Sequence, residues 1–302
     1  MLTLTAPAKI NWFLKVLGLR DDGFHEIQSL IQKVTLYDRL TFTPADTLSI
    51  VTDTQIPLED NLIYKAAVLL QKKCGIDAGA VIGLDKNIPM GAGLGGGSSD
   101  AATALVGLNE LWSLGLTTEE LSSLAEQLGS DVPFFLHGPL SFISGRGENI
   151  ALRNALKTIN ILLVKPSFDI STAWAYKKFS HIRSVDILDV GGTSSAMYYN
   201  NGLELTKKAG KVNNIEHFIR NIERAEPGDI TDDVYNDLEL VVIESFPVIA
   251  EIKERLREQG AGFTLMSGSG STVFGVFDSR EKAEDASISF QDFWTAVVET
   301  LM

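Results

Sequence analysis

The chain of 302 residues contains one cysteine, Cys74, so no internal disulfide can form and a reducing compartment is the expected setting. Basic residues are also scarce: 26 Lys and Arg stand against 39 Asp and Glu, a formal net charge of −13. That deficit argues against a protein that wraps nucleic acid or coats an anionic membrane. A small anionic ligand is still compatible, provided local donors hold it against the overall field. Long apolar runs are missing; Ile159 to Val164, broken by Asn160, falls far short of the ~20 residues that span a bilayer. The opening MLTLTAPAKINWF has no basic stretch followed by an apolar one, so no signal peptide and a cytoplasmic location are expected. There is no repeat of about 20–50 residues. His137, His181 and His217 share no metal-ligand spacing with one another or with Cys74 and read as structural or surface residues, leaving metal ligands unknown. What remains, 45% hydrophobic and 22% charged, is an ordinary globular composition for one large domain or two packed ones.

The first fifty residues predict strands. Ala8, Ile10, Trp12, Leu14 and Val16 alternate with Lys9, Asn11, Phe13 and Lys15, the period of a half-buried strand. Further runs follow at Ile27 to Leu36 and Leu40 to Thr43. Asn61 to Lys73 reads as a helix, Ala80 to Leu84 as a strand, and Asp100 to Leu114 as a helix stopped by Gly115. Thr117 and Glu120 have capping-box spacing at the head of another helix. In the second half, Ile159 to Val164 predicts a buried strand; Ser171 to Phe179, Glu216 to Arg224 and Pro247 to Gln259 predict helices. Phe263 to Phe277 reads as strand, glycine-serine turn, strand. The mixture lacks regular βαβ alternation, so the expected class is α+β, or a two-layer α/β mixture, in two domains, 1–150 and 151–302.

The densest glycine cluster is Pro89 to Asp100, PMGAGLGGGSSD. Each interior glycine costs roughly 0.5–1 kcal/mol against alanine, so five of them call for a compensating requirement. A glycine-lined turn running into a helix start lets backbone N–H groups converge on an anion, with the helix dipole assisting. The alternative is a purely structural turn. Walker A fails because no lysine follows the glycines. Gly91, Gly93 and Gly96 fit G-x-G-x-x-G, but Pro89 separates them from the preceding strand and the acids ~20 residues on lie in a helix's first turn, so the dinucleotide fingerprint is weak. A third kind of phosphate loop is left, with the Ser98 and Ser99 hydroxyls assisting the phosphates or their metal ion.

This stretch resembles the nucleotide loop of the GHMP kinases. Other blocks in the same order strengthen the resemblance: Ala8 to Asn11 with Asp22 to Glu26, Asp60 to Leu62, Lys86 through Asp100, Gly129 to Pro133, Asn236 to Glu239, and Ser267 to Gly270. The resemblance covers nearly the whole chain. It implies a two-domain α+β fold of the GHMP-kinase type with ATP between the domains. Within the family the blocks are most similar to members that phosphorylate the 2-hydroxyl of a cytidine diphosphate ester of methylerythritol in isoprenoid precursor synthesis. It also implies ATP and Mg²⁺, a small-molecule acceptor, no nucleic-acid or membrane partner, and a monomer or homodimer. Two rivals are a kinase of the same family acting on homoserine, mevalonate or a sugar, and a catalytically silent binding protein of the same fold.

By position, the resemblance makes Asp131 the catalytic aspartate and Lys9 its partner. It puts Pro89, Met90, Gly91, Ala92, Gly93, Leu94, Gly95, Gly96, Gly97, Ser98 and Ser99 around the triphosphate, and Asn61, Leu62 and Lys86 beside the adenine. Asn11, Phe24, His25, Tyr176, Gly268 and Ser269 would meet the acceptor, with Phe24 and Tyr176 stacking on cytosine. Read without the family, Asp131 is an N-cap aspartate, Lys9 a solvated strand lysine and His25 a turn histidine, while Tyr176 could equally be a core aromatic and Ser267 to Ser271 could be a plain connection. The family more often has tyrosine at the Phe24 position; phenylalanine keeps the stacking face and loses the hydroxyl. The stretch from His181 to Asp232, with Gly191-Gly192, Asn200-Asn201-Gly202, Lys207, Lys208 and Lys211, reads either as a flap or as a surface insertion.

Overall fold

A computed structural model describes residues 1–155, 157–188, 218–220, 222 and 235–302, the side chains of 183–188 excepted. The glycine-, asparagine- and lysine-rich part of the 181–232 stretch lies outside the described residues. So does most of the helix expected at 216–224, of which 218–220 and 222 are helical.

The early strand runs merge into two long strands, β1 (Leu2–Leu19) and β2 (His25–Ala45), paired antiparallel. The register shifts between Pro7 and Ala8, between Asn11 and Phe13, and between Val16 and Gly18. Such bulges bend a strand and sharpen its twist, so β2 can pair β5 (Leu140–Gly145) at one end and β4 (Gly79–Asp85) at the other. β3 (Leu48–Val51), parallel to β4, and β6 (Asn149–Arg153), antiparallel to β5, complete a six-stranded sheet. A second, four-stranded antiparallel sheet has the order β10-β7-β9-β8, with β7 Asn160–Lys165, β8 Phe263–Met266, β9 Val273–Phe277 and β10 Trp294–Glu299.

The two sheets meet through one face of β1. Ala8, Ile10 and Trp12 are fully buried and share a core with Ile161, Leu163, Leu265 and Phe274 of the second sheet. Trp12 packs edge-on against Phe274 at 5.6 Å and donates its indole N–H to Gln32 Oε1 at 2.8 Å, so the large ring is buried without an orphaned donor. With that face committed, the intervening Lys9 and Asn11 must point the other way. They do not reach solvent, because helices cover that side: Lys9 is 4% and Asn11 2% exposed.

The covering layer includes α1 (Leu62–Cys74), α2 (Gly96–Leu111), α3 (Thr118–Ala125) and α4 (Val132–Phe135). Asn61 caps α1 through Ile63 N–H, and Gly75 ends it in the left-handed conformation. The Thr117–Glu120 capping box forms in full at the head of α3. α2 starts at Gly96, four residues before the expected Asp100, and ends at Leu111 rather than Leu114. Glycine's poor helix propensity hid the start; packing of α2 on α1 and β1 outweighs it. In the second half α5 runs Thr172–Leu188, α6 Asp237–Ser245, α7 Val248–Glu258 and α8 Arg280–Ser287. No described helix is long and apolar enough to cross a membrane.

Candidate active site

Lys9 and Asn11 open into a cavity of about 460 Å³. The Lys9 ammonium donates to Asn11 Oδ1 at 2.5 Å, and Asn11 Nδ2 donates to Ser29 Oγ at 2.9 Å, which fixes both side chains. Asp131 occupies the N-cap position of α4, yet its carboxylate makes no capping bond. Its Oδ2 lies 3.6 Å from Lys9 Nζ instead. Burial lowers the Lys9 pKa and the adjacent Asp131 carboxylate opposes that shift. The two groups that read separately as a solvated lysine and a helix cap therefore form one ion pair at the cavity wall.

The glycine loop arches over the same pair. Lys9 N–H donates to Leu94 O at 2.9 Å. Gly95 has φ +70°, and a Cβ there would stand 2.9 Å from both Lys9 Cγ and Phe135 Cζ, a space no side chain fits. Because α2 begins at Gly96, the N–H groups of Gly96, Gly97 and Ser98 belong to its first turn and have no intrahelical acceptor. All three residues line the cavity. This bare cradle of donors, with a buried ammonium beside it, suits a triphosphate.

The remaining sequence-predicted residues divide. Asn61, Leu62, Lys86, Pro89 through Ser98, Asp131, Tyr176, Gly268 and Ser269 border the cavity with Lys9 and Asn11. Ser99 does not; it is fully buried and its hydroxyl has no hydrogen-bond partner. Lys86 is held below the loop by two carboxylates, bonding Asp38 Oδ2 closely and Asp100 Oδ2 at 2.8 Å. Phe24 and His25 lie outside the cavity lining. Phe24 is half exposed with the Arg146 guanidinium 5.0 Å from its ring centre. His25 packs its ring 4.9 Å from Tyr176 and meets Ser180 Oγ at 2.6 Å. Burial, with Asp131 and Asp237 nearby, raises the Tyr176 pKa, so its phenol stays protonated.

Three features had no counterpart in the sequence reading. Asp38 accepts from Asn87 N–H (2.6 Å), Ile88 N–H (2.8 Å) and Lys86, which anchors the chain just before the glycine loop. Asp100 is the second carboxylate on Lys86; its closeness in sequence to a phosphate loop was the available clue, since an unneutralised carboxylate there would repel the ligand. Thr172 Oγ1 meets Ser269 Oγ at 2.9 Å across the cavity mouth. Among the described residues no group of three or more His, Cys, Asp or Glu could hold a metal by itself.

A glycine-lined donor cradle facing a lysine–carboxylate pair is the equipment of a phosphoryl-transfer enzyme. Residues 61–139 match the GHMP kinases N terminal domain and residues 211–295 match the GHMP kinases C terminal. The chain belongs to the GHMP kinases and is an ATP-dependent phosphotransferase. Among its relatives, 4-diphosphocytidyl-2-C-methyl-D-erythritol kinase of Thermodesulfovibrio yellowstonii is 44% identical, over 100% of this chain and 99% of that one. The enzyme of the same name from Geobacter metallireducens is 40% identical, over 100% and 99%. A crystal structure of 4-(cytidine 5'-diphospho)-2C-methyl-D-erythritol kinase superposes with a TM-score of 0.77 at 31% identity, covering 99% of each chain.

Proposed function

We propose that this kinase transfers the γ-phosphoryl group of ATP to the 2-hydroxyl of 4-diphosphocytidyl-2-C-methyl-D-erythritol. The observation that carries the chemistry is the Lys9–Asp131 pair at 3.6 Å on the wall of the cavity that the glycine loop also lines. Full-length identity of 44% to a relative of that name supports this acceptor over homoserine, mevalonate or a sugar. In the proposed reaction Asp131 accepts the hydroxyl proton while the acceptor oxygen bonds to the γ-phosphorus. The bond from that phosphorus to the bridging β,γ-oxygen breaks, and ADP leaves. Lys9, held by Asn11, offsets charge on the transferred group.

The loop from Pro89 to Ser98 suits the triphosphate, because the first-turn N–H groups of Gly96, Gly97 and Ser98 have no intrahelical acceptor and all three residues line the cavity. A Mg²⁺ ion carried by the phosphates would neutralise their charge, and Asp131 and the Ser98 hydroxyl, both on the cavity wall, would share it. Asn61, Leu62 and Lys86 form the adenine side. Tyr176 with His25 offers an aromatic face to cytosine, with Phe24 closing from outside. A division into two domains near residue 150 is supported by the six-stranded sheet ending at Arg153 and the second beginning at Asn160, with β6 running three residues past the expected end of the first domain. An ADP-release assay over a panel of acceptors tests the assignment: turnover should require the cytidine diphosphate ester. Equal turnover with homoserine or mevalonate would refute it.

A further inference from the structure

The block Asn236-Asp237-Leu238-Glu239 has no part in the chemistry above, yet its polar side chains are committed to the backbone around the site. Asp237 Oδ2 accepts from Val16 N–H of β1 at 2.6 Å. Glu239 Oε2 accepts from Met266 N–H at 2.7 Å, and its other oxygen pairs with Lys253. Asn236 is 2% exposed. Its Oδ1 accepts from Leu238 N–H at 3.0 Å and caps α6. Its Nδ2 donates to Met266 O at 2.8 Å and Gly268 O at 2.6 Å.

The cap alone would not call for asparagine, since aspartate and serine cap as well. The second pair of bonds does, because only an amide supplies two donors here together with the capping oxygen. Those donors land where the turn from Ser267 to Ser271 meets Lys9. Gly268 has φ +57°, and a Cβ on it would lie 3.1 Å from Lys9 Nζ and 3.2 Å from Asn11 Oδ1. The next residue, Ser269, borders the cavity and bonds Thr172. On its other side the turn is held by Ser267 Oγ, which donates to Gly93 O at 3.0 Å.

We propose that Asn236 is a positioning residue: its amide fixes the Gly268 carbonyl, so that the turn stops against Lys9 and presents Ser269 to the acceptor. This rests on the reading that Gly268 and Ser269 face the acceptor. The glycine loop keeps a bond to β1 that does not involve this turn, Lys9 N–H to Leu94 O, so nucleotide binding depends less on Asn236.

Asn236→Asp separates the two roles, because it preserves volume and helix cap and sets a carboxylate oxygen against two carbonyls. Its acceptor kcat/KM should fall by about 10–100-fold, with the ATP dissociation constant within about twofold of the parent. Amide hydrogen exchange supplies a readout that needs no acceptor: protection should drop across 266–272 and hold across 237–245. Unchanged acceptor kcat/KM, or equal losses for ATP and acceptor, would overturn the proposal. So would protection lost equally in both segments. If the parent enzyme fails to use the cytidine diphosphate ester, the functional reading fails, while exchange at 266–272 still decides whether Asn236 holds the turn.

Discussion

Gly93 and Ser267 are in contact beside the cavity: Ser267 Oγ donates to Gly93 O, and a Cβ on Gly93 would collide with the Ser267 carbonyl oxygen. These residues belong to two glycine turns, one between β4 and α2, the other between β8 and β9. Thr172 and Ser269 meet across the same mouth, and Asn11 N–H reaches Ser267 Oγ at 3.3 Å. The site is thus a seam between two sheets, where backbone comes close to backbone and serine and threonine hydroxyls bridge the two sides. Only glycine lets the two chains approach this closely.

Gly93→Ala should therefore destabilise by roughly 2–4 kcal/mol, through the left-handed φ of +74° and the collision with backbone. Gly97 provides the contrast: it is helical, and the nearest atom to an added Cβ is Leu62 Cδ1 at 3.9 Å. Gly97→Ala should gain about 0.5–1 kcal/mol. Thermal denaturation of both variants checks the pair, and equal effects would show that the seam is slack.

Asp131→Asn should lower kcat by about 10²–10⁴-fold while nucleotide affinity is retained, as expected for removal of a proton acceptor. A second consequence concerns Lys9. Burial lowers its pKa and Asp131 raises it, so losing the carboxylate lowers it further. Lys9 would then shed its charge at lower pH, and the alkaline loss of nucleotide affinity should shift to lower pH in the variant. Calorimetric titration across pH checks both, and undiminished kcat would remove Asp131 from the chemistry.

The fold was legible where the physics is local. The capping box at Thr117 and Glu120 forms because both partners lie within one turn, and the alternation around Ile10 and Trp12 reports a strand with one apolar face. What sequence could not supply was the burial of the other face. Lys9 reads as solvated because its cover, the Gly95 turn and Phe135, arrives from about 85 and 125 residues away. The start of α2 was misplaced for a related reason: glycines at 96 and 97 read as turn by propensity, and tertiary packing decides otherwise. Asp38 carried no local signal, since all three of its donors come from Lys86, Asn87 and Ile88.

The Asp38–Lys86–Asp100 cluster predicts a pH dependence of stability. Burial, with Asp38 adding to it and Lys86 opposing, pushes the Asp100 pKa from 3.8 to about 7. Between these values the folded state holds the extra proton, so this group's stabilisation is complete below about pH 4 and is lost as pH rises through 7. Asp100→Asn should abolish that decline, worth roughly 2–4 kcal/mol. Urea unfolding at several pH values, parent against variant, measures it; parallel curves would mean that Asp100 is ionised throughout. Lys86→Met, which leaves the buried Asp38 carboxylate without its cation, should cost about 3–5 kcal/mol at neutral pH.

Lys33 gives the opposite slope. It is 9% exposed, and its ammonium donates to Phe135 O at 3.0 Å and His137 O at 2.7 Å, at the far end of the short helix that Asp131 begins. Burial lowers its pKa from 10.5 to about 8. Between these values the unfolded chain binds the extra proton, so stability should rise with pH through this window. The rise belongs to relief of a buried charge, and its full size is about 3 kcal/mol. Lys33→Met should remove this component while leaving Phe135 O and His137 O without their donor, so absolute stability moves less than the slope. Comparing urea midpoints from about pH 7.5 to about pH 10.5 isolates the slope, because the other lysines titrate alike in both proteins. The same slope in the variant would place the Lys33 ammonium in water rather than against α4.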